Sequence, residues 1–153
     1  MEQKDYLLRE VEKIGMIINA IGQKIFGGKG NTAITLEEQL KDAKDMLFNG
    51  ANFDIDKFLN STIIDSNKYI SGFIGFNNEN IELLANSLFQ IGLSNKSDNS
   101  KKYLEKALQL FELCNLQDKT YSFERESNIK LIIKKLTQAP LHLGGWDGLL
   151  VKK

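Results

Sequence analysis

Histidine, cysteine, paired carboxylates and phosphate-cradling glycine loops are the groups through which a chain of this size would do chemistry, and here each is scarce or poorly placed. General acid–base work uses histidine most often, and the single histidine, His142, sits in a glycine-rich stretch with no identifiable catalytic partner. The single cysteine, Cys114, follows an apolar helical pattern ending near Leu113. A reactive thiolate needs a cation or a helix N-terminus beside it, and a helix C-terminus acts in the opposite sense, so Cys114 reads as a buried structural residue. One cysteine excludes an intrachain disulfide, and with one histidine it excludes the usual Cys/His zinc site. Helical di-metal sites use Glu-x-x-His pairs, and the chain has none. Glu10, Glu12, Glu37, Glu38 and Glu82 read as solvated helix faces rather than a magnesium site. The stretch Gly27-Gly28-Lys29-Gly30 departs from a phosphate loop, because Lys29 is followed by glycine and a helical pattern precedes it. It reads as a connector, and no catalytic, cofactor-binding or metal-ligating residue is assigned.

Residues suited to recognition are better represented. Tyr121, Phe123 and Arg125 cluster where the last helical pattern begins, and aromatic and arginine side chains favour interface hot spots. Phe123 also fits the apolar face of that helix, so packing within the hairpin is the preferred reading and a recognition surface the alternative. The segment 141–153 is apolar and glycine-rich, with Trp146, Leu149 and Leu150. It either packs back onto a domain spanning 1–140 or anchors a partner, since tryptophan carries a large apolar surface.

Composition narrows the function classes. Twenty basic and twenty acidic residues cancel among 153, and a duplex-binding domain normally carries a basic excess that displaces phosphate counterions. Nucleic acid is therefore not an expected partner. Apolar residues at 42% and charged residues at 26% suit one ordinary globular domain. The apolar run from Ile14 to Ile21 is far short of the roughly 20 residues needed to cross a bilayer. It also lacks a basic flank and a small-residue cleavage site, so a leader peptide is not expected and a cytoplasmic location is.

The elements that must position these residues are helical. Leu7, Val11, Ile14, Ile18, Ile21 and Ile25 recur at alternating steps of four and three, which predicts an amphipathic helix from Glu2 to Ile25. Its seam could bury within the monomer or in a homodimer. Gly15 and Gly22 beside it either admit a neighbouring helix or are merely tolerated. Thr35 and Glu38 form a capping box for a second helix through Leu36, Leu40, Ala43 and Leu47, stopped by Gly50, with Lys41, Asp42, Lys44 and Asp45 on its solvated side. Asp54 caps a third, short helix carrying Ile55, Phe58 and Leu59 to about Asn60. Between Thr62 and Phe76 the β-branched and aromatic content allows a short strand, but with no second strand to pair, one helical turn or an irregular segment is preferred. Asn77 or Asn80 then caps a helix to Gly92, Ser100 caps one to Leu113, and the last runs from Ser122, with Phe123, Ile129, Ile132, Ile133 and Leu136 apolar, until Pro140 closes it.

In the hairpin from Asn80 to Leu113, Leu84-Ala85, Leu88 and Gly92, then Tyr103-Leu104, Lys106-Ala107-Leu108 and Leu110, resemble a tetratricopeptide-type repeat. Ile81 stands where that repeat usually has tryptophan, Ser100 where it has alanine, the loop is about three residues longer, and the terminal proline is missing. The stretches Lys4–Ile14, Asp45–Phe48 and Asp118–Arg125 are further similar to a family of small, uncharacterised bacterial helical proteins with such hairpins. The resemblance implies an all-α fold of about six helices in antiparallel hairpins, arranged as a right-handed tetratricopeptide-like array. It also implies a concave side carrying Glu82, Asn86, Phe89 and Gln90. The expected function is a noncatalytic interaction module for a protein or peptide, through that groove, Tyr121, Arg125 or Trp146. The alternative is a small-molecule binding protein or an enzyme with a pocket between helices.

Overall fold

The alternating seam becomes α1 (Glu2–Phe26), in which Ile14, Ile18 and Ile21 are buried while Leu7 remains 45% exposed, so the seam closes only in its C-terminal half. The computed structural model describes residues 2–27, 36–94 and 99–138, and these form seven helices and no strand. Thr35, the glycine stretch beyond Gly27, Pro140, His142 and Trp146 lie outside the described residues.

Helix α2 (Leu36–Ala51) runs through Gly50 rather than stopping there. Asn52, at φ 59°, ends it instead, its backbone N–H still donating to the Phe48 carbonyl. Asparagine tolerates this left-handed conformation, which is why it can do the work expected of glycine. Asp54 then caps α3 (Ile55–Asn60), its carboxylate accepting from the Lys57 N–H at 3.1 Å. The ambiguous stretch resolves into α4 (Ile63–Ser71), more than one turn long and followed by irregular chain to Asn77. Thr62 caps it by accepting from the Asp65 N–H, and the helix buries Ser66 and Ile70 while exposing Ile63 and Ile64. Two of its three β-branched residues are thus on the outside, where packing does not oppose a helix.

Asn77 caps α5 (Asn78–Ser94), accepting from the Asn80 N–H at 3.0 Å. Ser100 does not cap α6 (Asn99–Gln117); it lies in the first turn, and its hydroxyl donates to the Gly92 carbonyl at 2.6 Å. Helix α6 continues one turn past Leu113, which takes Cys114 inside the helix and fully buries it. Ser122 caps α7 (Phe123–Thr137) by accepting from the Arg125 N–H. The buried face of α7 is Arg125, Ile129 and Ile132. Phe123, expected there, is 74% exposed, and Ile133 is exposed as well.

Side-chain neighbours fix the directions. Helices α1 and α2 are antiparallel, Ile17 meeting Gly50 and Lys24 pairing with Asp42. Helices α5 and α6 are antiparallel and share the largest interface, with Gly92 against Leu104, Phe89 against Phe111, and Asn78 against Cys114. Helix α7 runs back along α6, and parallel to α5 through the pairs Glu82–Arg125 and Asn86–Asn128. Helices α1 and α5 are also parallel: the Asn80 amide donates to the Val11 carbonyl near one end, and Gln23 and Gln90 share a cleft toward the other. Beside α3 and α4, Phe53 is fully buried among the rings of Phe58, Tyr69, Phe73 and Phe76.

The glycines of the helices divide by what surrounds them. A Cβ on Gly92 would sit 2.8 Å from the Leu104 side chain and 3.2 Å from its backbone nitrogen. One on Gly15 would meet the Asn80 amide oxygen at 3.1 Å, and one on Gly22 would meet nothing within 4 Å. Gly15 therefore admits its neighbour closely, whereas Gly22 leaves open space. Gly92→Ala is expected to destabilise the fold by about 1–3 kcal/mol through overpacking, while Gly22→Ala should stabilise it by about 0.5–1 kcal/mol. Calorimetry on the two variants reads opposite shifts in Tm.

Candidate functional site

Two buried polar knots hold the helices together. In the first, Arg125 is 3% exposed. Its Nε and Nη2 donate to the two carboxylate oxygens of Glu82 at 3.2 and 2.9 Å, its Nη1 donates to Asn115 at 2.8 Å, and Asp118 lies 3.5 Å away. A planar guanidinium suits this forked geometry, and the Glu82 carboxylate in turn holds Arg125 above its ordinary pKa. The arginine, read as packing within the hairpin with a recognition surface as the alternative, is thus the bolt joining α7 to α5 and α6.

Cys114 lies beside this knot, its thiol facing the Asn78 carbonyl at 3.7 Å. Burial, reinforced by the Glu82 charge, pushes the thiol up to about 12. A thiol held protonated is not a nucleophile. The folded state keeps a proton that the unfolded chain releases above about pH 8.5, so this contribution to stability is full below that value and shrinks as pH rises. Asp118 works in the opposite sense. The Thr120 backbone N–H, and then Arg125, hold its carboxyl below the usual range, so its contribution is present above the ordinary carboxylate pKa and lost as pH falls. Iodoacetamide at pH 8 is expected to label native Cys114 at least about a hundredfold more slowly than the urea-unfolded chain. In urea titrations, Asp118→Asn should flatten the acid limb of stability while changing the alkaline limb far less, Asp118 being the weakest of the influences on Cys114.

The second knot joins α4 to α6. Lys106, 6% exposed, donates to the Ser61 carbonyl, the Ser66 hydroxyl and the Gln109 amide oxygen at 2.8, 2.9 and 3.0 Å. Its ammonium also lies 5.3 Å from the centre of the Phe58 ring. The Gln109 amide donates to Ser66 and to Asn67. Burial lowers the Lys106 pKa, with Glu105 opposing. All three N–H bonds of the ammonium are nevertheless matched by protein oxygens, which leaves no lone pair for nucleophilic work.

Spaces of four kinds lie between the described helices, one of them a cleft of about 450 Å³ beside α2 and the start of α6, lined by Glu37, Lys41, Lys44, Asp45 and Asp56, in which Lys41 pairs with Asp45 and Lys44 with Asp56. An apolar cavity of about 30 Å³ lies among α1, α2, α5 and α6, walled by Ile18, Leu47, Leu88 and Tyr103. It is an order of magnitude below the volume of roughly 300–1,000 Å³ that holds small ligands. A groove of about 530 Å³ crosses α6 with Leu59, Ile63, Leu108 and Leu136 along it. Its polar side chains are largely engaged, Lys102 donating to Asn60 and Lys106 and Gln109 held in the second knot. The fourth space is a cleft of about 210 Å³ between α1 and α5, lined by Ile18, Gly22, Phe26 and Leu83 together with Asn19, Gln23, Asn86, Ser87 and Gln90. Among the described residues it contains no charged side chain.

The residues expected on a concave face therefore separate. Asn86 and Gln90 line the α1–α5 cleft. Glu82 is bound by Arg125, and Asn86 also accepts from Asn128 at 3.3 Å, so α7 covers this end of the α5 face. Phe89, expected in the groove, is buried at 4% exposure against Phe111, because its helical position turns it toward α6. Tyr121 is 71% exposed on the link before α7, next to the exposed Phe123. Asn19, Gln23 and Gly22 on α1 complete the cleft. Gly22 read as a candidate for close approach or a tolerated glycine, and it leaves open space instead, while nothing in the helical pattern singled out the two amides.

Among the described residues no helix is long and apolar enough to cross a membrane. Comparison with known proteins finds no matching family model, no similar curated protein and no similar solved structure.

Proposed function

We propose that this protein is a noncatalytic helical interaction module that receives a protein or peptide in the cleft between α1 and α5. The observation that carries the reading is the contrast between its polar groups. The buried charged residues are engaged in knots, Arg125 by Glu82 and Lys106 by Ser66 and Gln109, while the cleft offers side-chain amides above an apolar floor. The tetratricopeptide-like array belongs to the same proposal. Its support is that α1, α5 and α7 share one direction while α2 and α6 oppose it, and that Ala85 and Ala107 are fully buried within the closely packed α5–α6 pair. A cytoplasmic setting suits the free, buried Cys114.

A photo-crosslinking side chain placed at Gln90, compared with one at Lys130 on the exposed side of α7, tests the reading in native cells. The expected result is a discrete set of adducts from position 90 that Gly22→Leu suppresses, since that substitution fills the cleft where a Cβ meets nothing. Adducts of equal yield at both positions, unchanged by Gly22→Leu, would remove the cleft from the proposal.

A further inference from the structure

We infer that the α1–α5 cleft takes an extended, uncharged peptide and holds it by its main chain, with Asn19, Gln23, Asn86 and Gln90 bonding to alternate residues. This rests on the cleft being the interaction site and names what enters it.

The register of the two helices is the first ground. Asn80 bonds the Val11 carbonyl and abuts Gly15, so it lies level with the middle of that turn of α1. Because α1 and α5 are parallel, the same offset sets Asn86 level with Asn19 and Gln90 level with Gln23. The cleft is therefore flanked by two like pairs of amides, one helical turn apart, with Gly22 between them. Four residues of helix advance about 6 Å. Two residues of extended chain advance about 6.5 Å. Amides at this spacing can meet every second residue of an extended chain along both of its edges.

Chemical type is the second ground. A carboxamide both donates and accepts, as a peptide group does, so four of them can satisfy N–H and C=O groups without regard to side-chain sequence. Asn86 is already oriented, because its oxygen accepts from Asn128 on α7, which leaves its NH₂ for the cleft. Asn19, Gln23 and Gln90 make no side-chain hydrogen bond to a described residue and are exposed. Charge is the third ground. Among the described residues the lining has no ionised group to neutralise a buried carboxylate or ammonium, so a charged segment would lose hydration there without return. Ile18, Leu83 and Phe26 offer apolar contact to the side chains that point inward.

The test titrates the whole protein into an equimolar pool of capped octapeptides built from Ala, Ser, Thr and Val. Each carries an uncharged nitrobenzoxadiazole label, and anisotropy is read. The expected result is a saturable rise that weakens about tenfold or more when alternate peptide nitrogens are methylated in one register. The same loss is expected in the Gln23→Ala/Gln90→Ala variant, whose helices stay intact because alanine favours them. A matched pool with alternating Asp or Lys should bind more weakly than the neutral pool. No saturable rise, or a rise indifferent to N-methylation in both registers, overturns the main-chain mode. A pool of helix-forming amphipathic peptides separates the two proposals. If it binds in a manner sensitive to Gly22→Leu while the extended pool does not, the cleft remains the interaction site and only this mode of recognition falls.

Discussion

Arg125→Ala is expected to destabilise the protein by about 3 kcal/mol, because it removes one side of a buried ion pair and leaves the other without compensation. The guanidinium makes a forked pair with Glu82, a third hydrogen bond to Asn115 and a longer contact with Asp118, and its own side chain is 3% exposed. The Glu82 side chain keeps 27% exposure, so water can reach the orphaned carboxylate, and the loss falls at the lower end of the range for such pairs. Arg125→Met separates packing from charge. It keeps the length of the side chain and the buried contacts of its stem, so any loss shared with Arg125→Ala is electrostatic and hydrogen-bonding in origin. Since Glu82 and Asn86 tie α5 to α7, amide hydrogen exchange in α7 should accelerate more than exchange in α1 or α2. A urea midpoint close to that of the parent protein would show that the knot contributes little.

Phe53→Ala carries the second large effect, a loss of about 3–5 kcal/mol. The ring is fully buried, with ring centres of Phe76, Phe73, Tyr69 and Phe58 at 5.0, 5.1, 5.1 and 5.8 Å. It is the point at which the end of α2, the start of α3 and the chain after α4 converge. Truncation to alanine would leave a cavity that rigid neighbouring rings cannot collapse to fill. It would also loosen Tyr69, whose hydroxyl accepts from the Asp54 N–H at 2.9 Å and so helps seat the α3 cap. Phe53→Leu, which retains most of the apolar volume, should lose about half as much. Urea unfolding of both variants gives the comparison, and equal, small losses would mean that the aromatic cluster is not a structural centre.

The all-α architecture was legible because the apolar periods of α1, α2, α5 and α6 agree with a cap at Asp54, a cap at Asn77 or Asn80 and a helix start at Ser122, and the structure caps α5 with Asn77 and α7 with Ser122. Three departures have physical causes. Asn52 replaced Gly50 as the end of α2 because a left-handed residue need not be glycine. The segment after Thr62 formed α4 because that cap and an outward-facing pair of isoleucines outweighed β propensity. Phe123 and Arg125 exchanged expected roles because a hydrogen-bonded partner set makes a buried arginine acceptable, and periodicity counts apolar residues only. The cleft was partly legible. Asn86 and Gln90 were placed on a shared face by the register of the repeat-like hairpin, whereas Asn19 and Gln23 joined them only through the parallel packing of α1 on α5. Helices so far apart in sequence leave no local pattern that pairs them.

Nuclear magnetic resonance of the side-chain amide groups tests the central claim most directly, with the neutral octapeptide pool and the helix-forming pool added in turn to the full chain. The account predicts that one of the pools shifts the NH₂ resonances of Asn19, Gln23, Asn86 and Gln90, and that Gly22→Leu abolishes the shifts. Gln109 and Asn115, held in the buried knots, should stay unmoved. Shifts centred on the groove beside Leu108 and Leu136, or none at the four cleft amides with either pool, would contradict it.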